Sequence, residues 1–181
     1  MKMPAAVLWE PKSDWSVEEV ELADPLAYEV RVKLVASGLC HSDEHLVTGD
    51  LPAPLPMVGG HEGSGIVEAV GEGVTSVAEG DHVVLSFIPA CGVCDMCSSG
   101  HQNLCVLGAH LVSGSELAGG QRITARGQGV GTFCLLGTFA PTLSAVIAQL
   151  PAQPYDFAPY GDDANTATPP PAPTPIATPA A

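Results

Sequence analysis

Basic residues are scarce. Six Lys and Arg stand against twenty Asp and Glu, giving a formal net charge of −14 and an isoelectric point near 4.4. Such a chain is repelled by phosphate backbones and anionic lipid, which argues against nucleic-acid and membrane-surface binding. Aromatic residues are few, at 5%, while Gly and Pro number 20 and 17. That mixture disfavours a helical bundle and favours short strands joined by turns. A long unbroken apolar run is also lacking. Gly127 to Tyr155 carries no charge, but Gly, Thr and Gln recur through it and Pro141 stands near its middle. A spanning helix needs about 20 predominantly apolar residues, so this stretch reads as buried strands and a loop. No export signal is read at the start, where Met1-Lys2-Met3-Pro4 leads into a short apolar run ending at Glu10. The expectation is a cytoplasmic chain whose six cysteines serve metal ligation rather than a disulfide framework.

What is present is mainly β in pattern. Val30, Val32 and Leu34 alternate with Arg31 and Lys33, the period of a half-buried strand. Ala5 to Trp9, Val17 to Leu22, Gly65 to Val70 and His82 to Phe87 are further short strand candidates bounded by turn residues. Their close spacing predicts a small barrel or sandwich. Beyond about Leu150 the composition changes: residues 151–181 hold nine of the seventeen prolines and no Lys or Arg. This Pro/Ala/Thr-rich tail is expected to be disordered.

Cys91, Cys94, Cys97 and Cys105 are spaced x2, x2 and x7. Two intervening residues let the chain turn tightly enough for neighbouring sulfurs to reach one metal, and four thiolates make a closed, structural zinc site. The segment holds almost no apolar residues besides Val93, Met96 and Leu104, so metal must order what a core cannot. An iron–sulfur cluster uses the same four ligands, and spacing alone does not separate the two. The remaining cysteines are Cys40 and Cys134. Cys134 lies in the strand-like run Thr132 to Leu136 and reads as buried core.

A second constellation combines Cys40-His41-Ser42-Asp43-Glu44-His45 with Gly60-His61-Glu62-Gly63-Ser64-Gly65. A thiolate, an imidazole and nearby carboxylates suit a catalytic zinc. Taken alone, Ser42, His45 and His41 read as a solvated turn. Gly60-His61-Glu62 followed by Gly65, Gly71 and Val74, with Cys40-His41-Ser42-Asp43 before it and the four cysteines after it, resembles the zinc signature of the medium-chain alcohol dehydrogenases. Val70-Gly71 through Gly80-Asp81-His82-Val83 follows the same pattern, and the resemblance runs from near Met1 to about Ala140. Ala125-Arg126-Gly127-Gln128 and Leu136-Gly137-Thr138-Phe139-Ala140 look most like an actinobacterial branch that uses N,N-dimethyl-4-nitrosoaniline as an artificial acceptor.

The resemblance implies a GroES-like, partly open β-barrel over residues 1–150, with the zinc lobe projecting from it. It implies Cys40 and His61 as catalytic zinc ligands, Glu62 just behind the metal, and Asp43 orienting His61. Ser42 would take the substrate hydroxyl proton, His45 would pass it to solvent, and His41 would face the pyrophosphate of NAD. The substrate would be a small-molecule alcohol; the resemblance leaves the oligomeric state open.

Two family features are missing. No cysteine follows residue 140 to complete the catalytic zinc, so that site is expected to bind weakly. Gly127-Gln128-Gly129-Val130-Gly131-Thr132 fails the dinucleotide-binding pattern at its sixth position, so no Rossmann domain is read in the chain. The expectation is a family member cut short before its cofactor domain, by a frameshift near codon 141 or by a genuine ending, and inactive alone. A non-enzymatic zinc-binding barrel is the alternative. A zinc deaminase fits poorly, because it needs His-x-Glu and Pro-Cys-x-x-Cys, whereas His61 and Glu62 are adjacent and Ala90 separates Pro89 from Cys91.

Overall fold

The computed structural model describes residues 1–114 and 119–146. Its elements are β1 Lys2–Leu8, β2 Ser16–Leu22, β3 Glu29–Ser37, α1 His41–Thr48, β4 Met57–Val58, β5 Gly63–Val70, β6 His82–Leu85, α2 Asp95–Ser98, β7 Ile123–Ala125, β8 Gln128–Thr132 and β9 Thr142–Val146. The mainly β expectation holds, and the strands divide between two sheets. One closes as a barrel in the order β1-β2-β7-β8-β4, and the other is an open sheet, β6-β5-β3-β9.

Alternation drives both sheets. In β1, Met3, Ala5 and Val7 turn inward, while Lys2 and Pro4 face out. With Val20, Leu22, Val58, Ile123 and Val130 they fill the barrel. In β3, Val30 and Val32 are buried and pack on Val67, Leu143 and Ala145. Arg126 (φ 49°) and Gly127 (φ 77°) make the two-residue turn between β7 and β8, the left-handed pair that matches the twist of a tight hairpin. A buried ion pair bridges the sheets: Arg122 donates to both Glu29 oxygens at 2.7 and 2.9 Å.

Two local readings are corrected. His41, Ser42 and His45, which taken alone read as a solvated turn, lie in a helix, His41–Thr48, with Gly49 in the left-handed region (φ 81°) at its end, where glycine is favoured. Thr132 to Leu136 is no strand beyond Thr132. Phe133–Leu135 is a 3-10 turn in which Cys134 (φ 53°) and Leu135 (φ 62°) take left-handed backbone. A short apolar run cannot by itself distinguish a buried turn from a buried strand. Among the described residues no helix is long and apolar enough to cross a membrane. The tail expected to be disordered lies outside the described residues.

Candidate metal centres

The four-cysteine lobe is built from turns. Gly92 (φ 76°) reverses the chain after Cys91, Cys94 caps the single turn of α2, and Cys97 lies within it. A 3-10 turn at Gln102–Leu104 then delivers Cys105. The four sulfurs lie within 4.8 Å of one another. Cys91 Sγ and Cys97 Sγ are 4.0 Å apart, close to the edge of about 3.8 Å that a tetrahedron with Zn–S bonds of about 2.3 Å requires. No two of the six cysteines are joined in a disulfide. The backbone N–H of Cys91 donates to Cys105 Sγ and that of Cys94 to Cys91 Sγ, both at 3.4 Å. Burial pushes the Cys97 thiol up to about 12 and raises Cys91. At Cys94 burial also pushes upward, but the backbone N–H groups of Val106 and Cys97 and the side chains of Cys97 and Cys91 together outweigh it and bring the thiol down to about 6. The donor set fits zinc. Among the described residues Leu107 is the only buried aliphatic beneath it, with half-buried Tyr28 alongside.

The second centre joins two segments. Cys40 precedes α1, and His61-Glu62 lies between β4 and β5. A cysteine sulfur, a histidine nitrogen and a carboxylate oxygen from these three residues lie within 4.8 Å of one another. His61 is buried and Glu62 exposed. The imidazole makes T-shaped contacts with Phe133 and Phe87, with ring centroids 5.1 and 5.8 Å away. Gly60 (φ 86°) makes the approach to His61, and a Cβ there would come within 2.4 Å of Thr138 Oγ1.

Asp43 ties these segments together. Its buried carboxylate accepts from the N–H of Gly60 at 2.8 Å and from that of Cys40 at 3.3 Å. It faces His61 Nδ1 at 3.6 Å, beyond hydrogen-bond length, and that nitrogen is buried without a hydrogen-bond partner. Asp43 therefore reaches the imidazole expected of it, but its bonds go to the two backbones. Ser42 Oγ is 3.5 Å from Cys40 Sγ. His41 and His45 lie on the exposed side of α1, with ring centroids 4.9 Å apart, and His45 Nδ1 is 3.6 Å from Asp50 Oδ2. The structure thus gathers Cys40, Ser42, Asp43, His61 and Glu62, with His41 and His45 outside them.

Cys134 is core, as its sequence context indicates. It packs with Leu8, Leu46, Met57 and Phe133 and lies outside the donor cluster. Burial, together with the charges of Asp43 and Cys40, pushes its thiol up to about 12. The glycine-rich run from Gly127 to Thr132 is barrel strand β8 and its turn, paired with β7, rather than a phosphate loop. The aromatic walls Phe87 and Phe133 escaped the sequence reading, because each sits in an apolar run with no spacing signal.

Residues 27–146 match the alcohol dehydrogenase GroES-like domain family. Alcohol dehydrogenase B of Mycobacterium tuberculosis is 51% identical over 164 residues, covering 87% of this chain and 44% of that protein. The NDMA-dependent alcohol dehydrogenase of Amycolatopsis methanolica is 49% identical over 140 residues, covering 77% of this chain and 38% of its own. An alcohol dehydrogenase zinc-binding domain protein from Burkholderia ambifaria superposes with a TM-score of 0.75 at 38% identity, over 81% of this chain and 40% of that one. The chain spans less than half the length of these relatives. By its matched domain, its fold and its sequence identities, the chain belongs to the zinc-type alcohol dehydrogenase family, of which it carries the GroES-like domain.

Proposed function

We propose that this chain is the metal-binding, substrate-side part of an NAD-linked alcohol dehydrogenase. It holds a structural zinc at Cys91, Cys94, Cys97 and Cys105 and a second, weaker zinc at Cys40, His61 and Glu62. The observation that carries this reading is the convergence of three unlike donors from two segments within 4.8 Å. With Nδ1 turned toward Asp43, Nε2 is the nitrogen left to His61 for ligation. A zinc bound there would act as a Lewis acid that lowers the pKa of a bound alcohol. Around it, Ser42 would accept the hydroxyl proton, His45 would carry it to solvent, and His41 would face the pyrophosphate of NAD. Asp43 would hold the two ligand segments in register. The names of the relatives support a small-molecule alcohol as substrate.

These 181 residues alone are proposed to bind zinc without reducing NAD. The glycine-rich candidate for a phosphate loop is a barrel strand, and Cys134 stays out of the donor cluster. Holding reactants in place is worth about 7–11 kcal/mol of barrier, which a chain that cannot hold the cofactor forgoes. The test is metal analysis of the purified chain followed by NADH absorbance with an alcohol and NAD. Roughly one zinc should be retained through dialysis, a second should bind only in excess metal, and no NADH should form. Clear turnover without added protein would overturn the inactivity. A second centre that takes no metal at all would make the non-enzymatic zinc-binding barrel the better reading.

A further inference from the structure

We propose that Gly38 is a positioning residue for the Cys40, His61 and Glu62 centre, and that the room left by its absent side chain is where the Glu62 side chain lies. A Cβ built on Gly38 would fall 2.2 Å from Glu62 Oε2, 3.0 Å from its Cβ and 3.2 Å from its Cδ. All three nearest atoms belong to that one side chain. The ladder between β3 and β5 ends at the pair Ser37 and Gly63. One step further on, Gly38 N–H donates to the Glu62 carbonyl at 3.0 Å, and Ser37 Oγ donates to the same oxygen at 3.2 Å. These bonds fix Glu62 beside Gly38, two residues before Cys40.

The requirement is for space rather than backbone freedom. Gly38 is not among the positive-φ residues, so alanine can adopt its conformation. Gly65 differs: a Cβ there would strike the carbonyl oxygen of Lys33 at 2.2 Å, which is rigid backbone. At Gly38 the closest obstacle is the far end of the exposed Glu62 side chain, while the Glu62 Cβ at 3.0 Å has to give by only a few tenths of an ångström. Alanine at 38 therefore drives the Glu62 carboxylate off Gly38 while leaving the sheet in place. The Cys40 and His61 pair then loses its third donor. This inference rests on the reading that the three residues hold a metal.

The test uses the whole chain with the lobe filled by zinc, titrated with Co²⁺ and read through the thiolate-to-cobalt absorption of Cys40. Gly38→Ala should weaken cobalt binding by roughly 10- to 100-fold, the range for changes that act through a ligand's support. Glu62→Ala should weaken it similarly, and Gly38→Ala in the Glu62→Ala background should add nothing further, the signature of one residue acting through another. Wild-type affinity in Gly38→Ala, or an undiminished loss in the Glu62→Ala background, would overturn the proposal. If Gly38→Ala fails to fold, recovery of folding in the double variant supports it, and failure of both variants overturns it. A wild-type chain that binds no cobalt at this centre refutes the metal reading and this inference together. Wild-type binding with Gly38→Ala unaffected refutes this inference alone.

Discussion

Removing one thiolate from the lobe should unfold the lobe and spare the barrel. Beneath the cysteines, among the described residues, only Leu107 is a fully buried aliphatic, and burying one such side chain stabilises by about 1.5–3 kcal/mol. Val93, Met96, Leu104 and Val106 are 53%, 39%, 57% and 38% exposed and contribute little. Against this stands the entropy of fixing about fifteen backbones, roughly 15 kcal/mol even at about 1 kcal/mol each. The shortfall is about the size of the 10–16 kcal/mol that structural zinc binding supplies. Cys94→Ser removes one of four ligands with no spare sulfur nearby, because Cys134 lies in another cluster. The variant should lose its tightly held zinc and be cut by protease within residues 91–110, while strands β1 to β9 stay resistant. A chelator should do the same to the unmutated chain, and a thiol reductant should not. Retained zinc with unchanged protease resistance in Cys94→Ser would refute the argument. Collapse on reduction alone would show that disulfides, rather than metal, order the lobe.

Three further outcomes follow from named contacts. Asp43→Ala strips the acceptor from the N–H groups of Cys40 and Gly60; it should cost about 1–3 kcal/mol of stability for the unpaired buried donor and weaken cobalt binding at the second centre, checked by thermal melting and titration. Arg122→Met leaves Glu29, fully buried, without its bidentate partner; urea unfolding should show a loss of about 3–5 kcal/mol, much of it recovered in Glu29→Met/Arg122→Met. Arg126 hydrogen bonds hold the Glu18 carboxyl below its ordinary 4.5. The folded-state pKa is depressed, so the stabilisation is present above that value and lost as pH falls through the folded one. Because Arg126 is 55% exposed, its ion pair with Glu18 should be worth at most about 1 kcal/mol at neutral pH, and in acid unfolding curves below the ordinary carboxylate range the difference made by Arg126→Met should shrink to what the guanidinium 4.0 Å over the Trp9 ring contributes.

The sequence alone determined whatever depends on a few neighbouring residues. The x2, x2 and x7 spacing of Cys91, Cys94, Cys97 and Cys105 sufficed, because tight turns bring such near neighbours to one point whatever the rest of the chain does. Alternation in β3 was legible for the same reason, since a strand's two faces are set residue by residue. The polar run Cys40 to His45 hid α1, whose buried side chains are only Asp43 and Leu46. Tertiary structure decided the remainder. Closure of the barrel depends on the two residues of β4, paired in parallel with β8, too short a strand for any periodicity to show. Cys134 takes left-handed backbone inside a packed core cluster, a turn that its apolar run does not signal. Cys40 and His61 stand twenty-one positions apart, and their link was legible only through family resemblance. Physically, the ladder between β3 and β5 and the Asp43 carboxylate bring them together. Such meetings are set by sheet register and by one buried acceptor, and neither leaves a periodic trace along the chain.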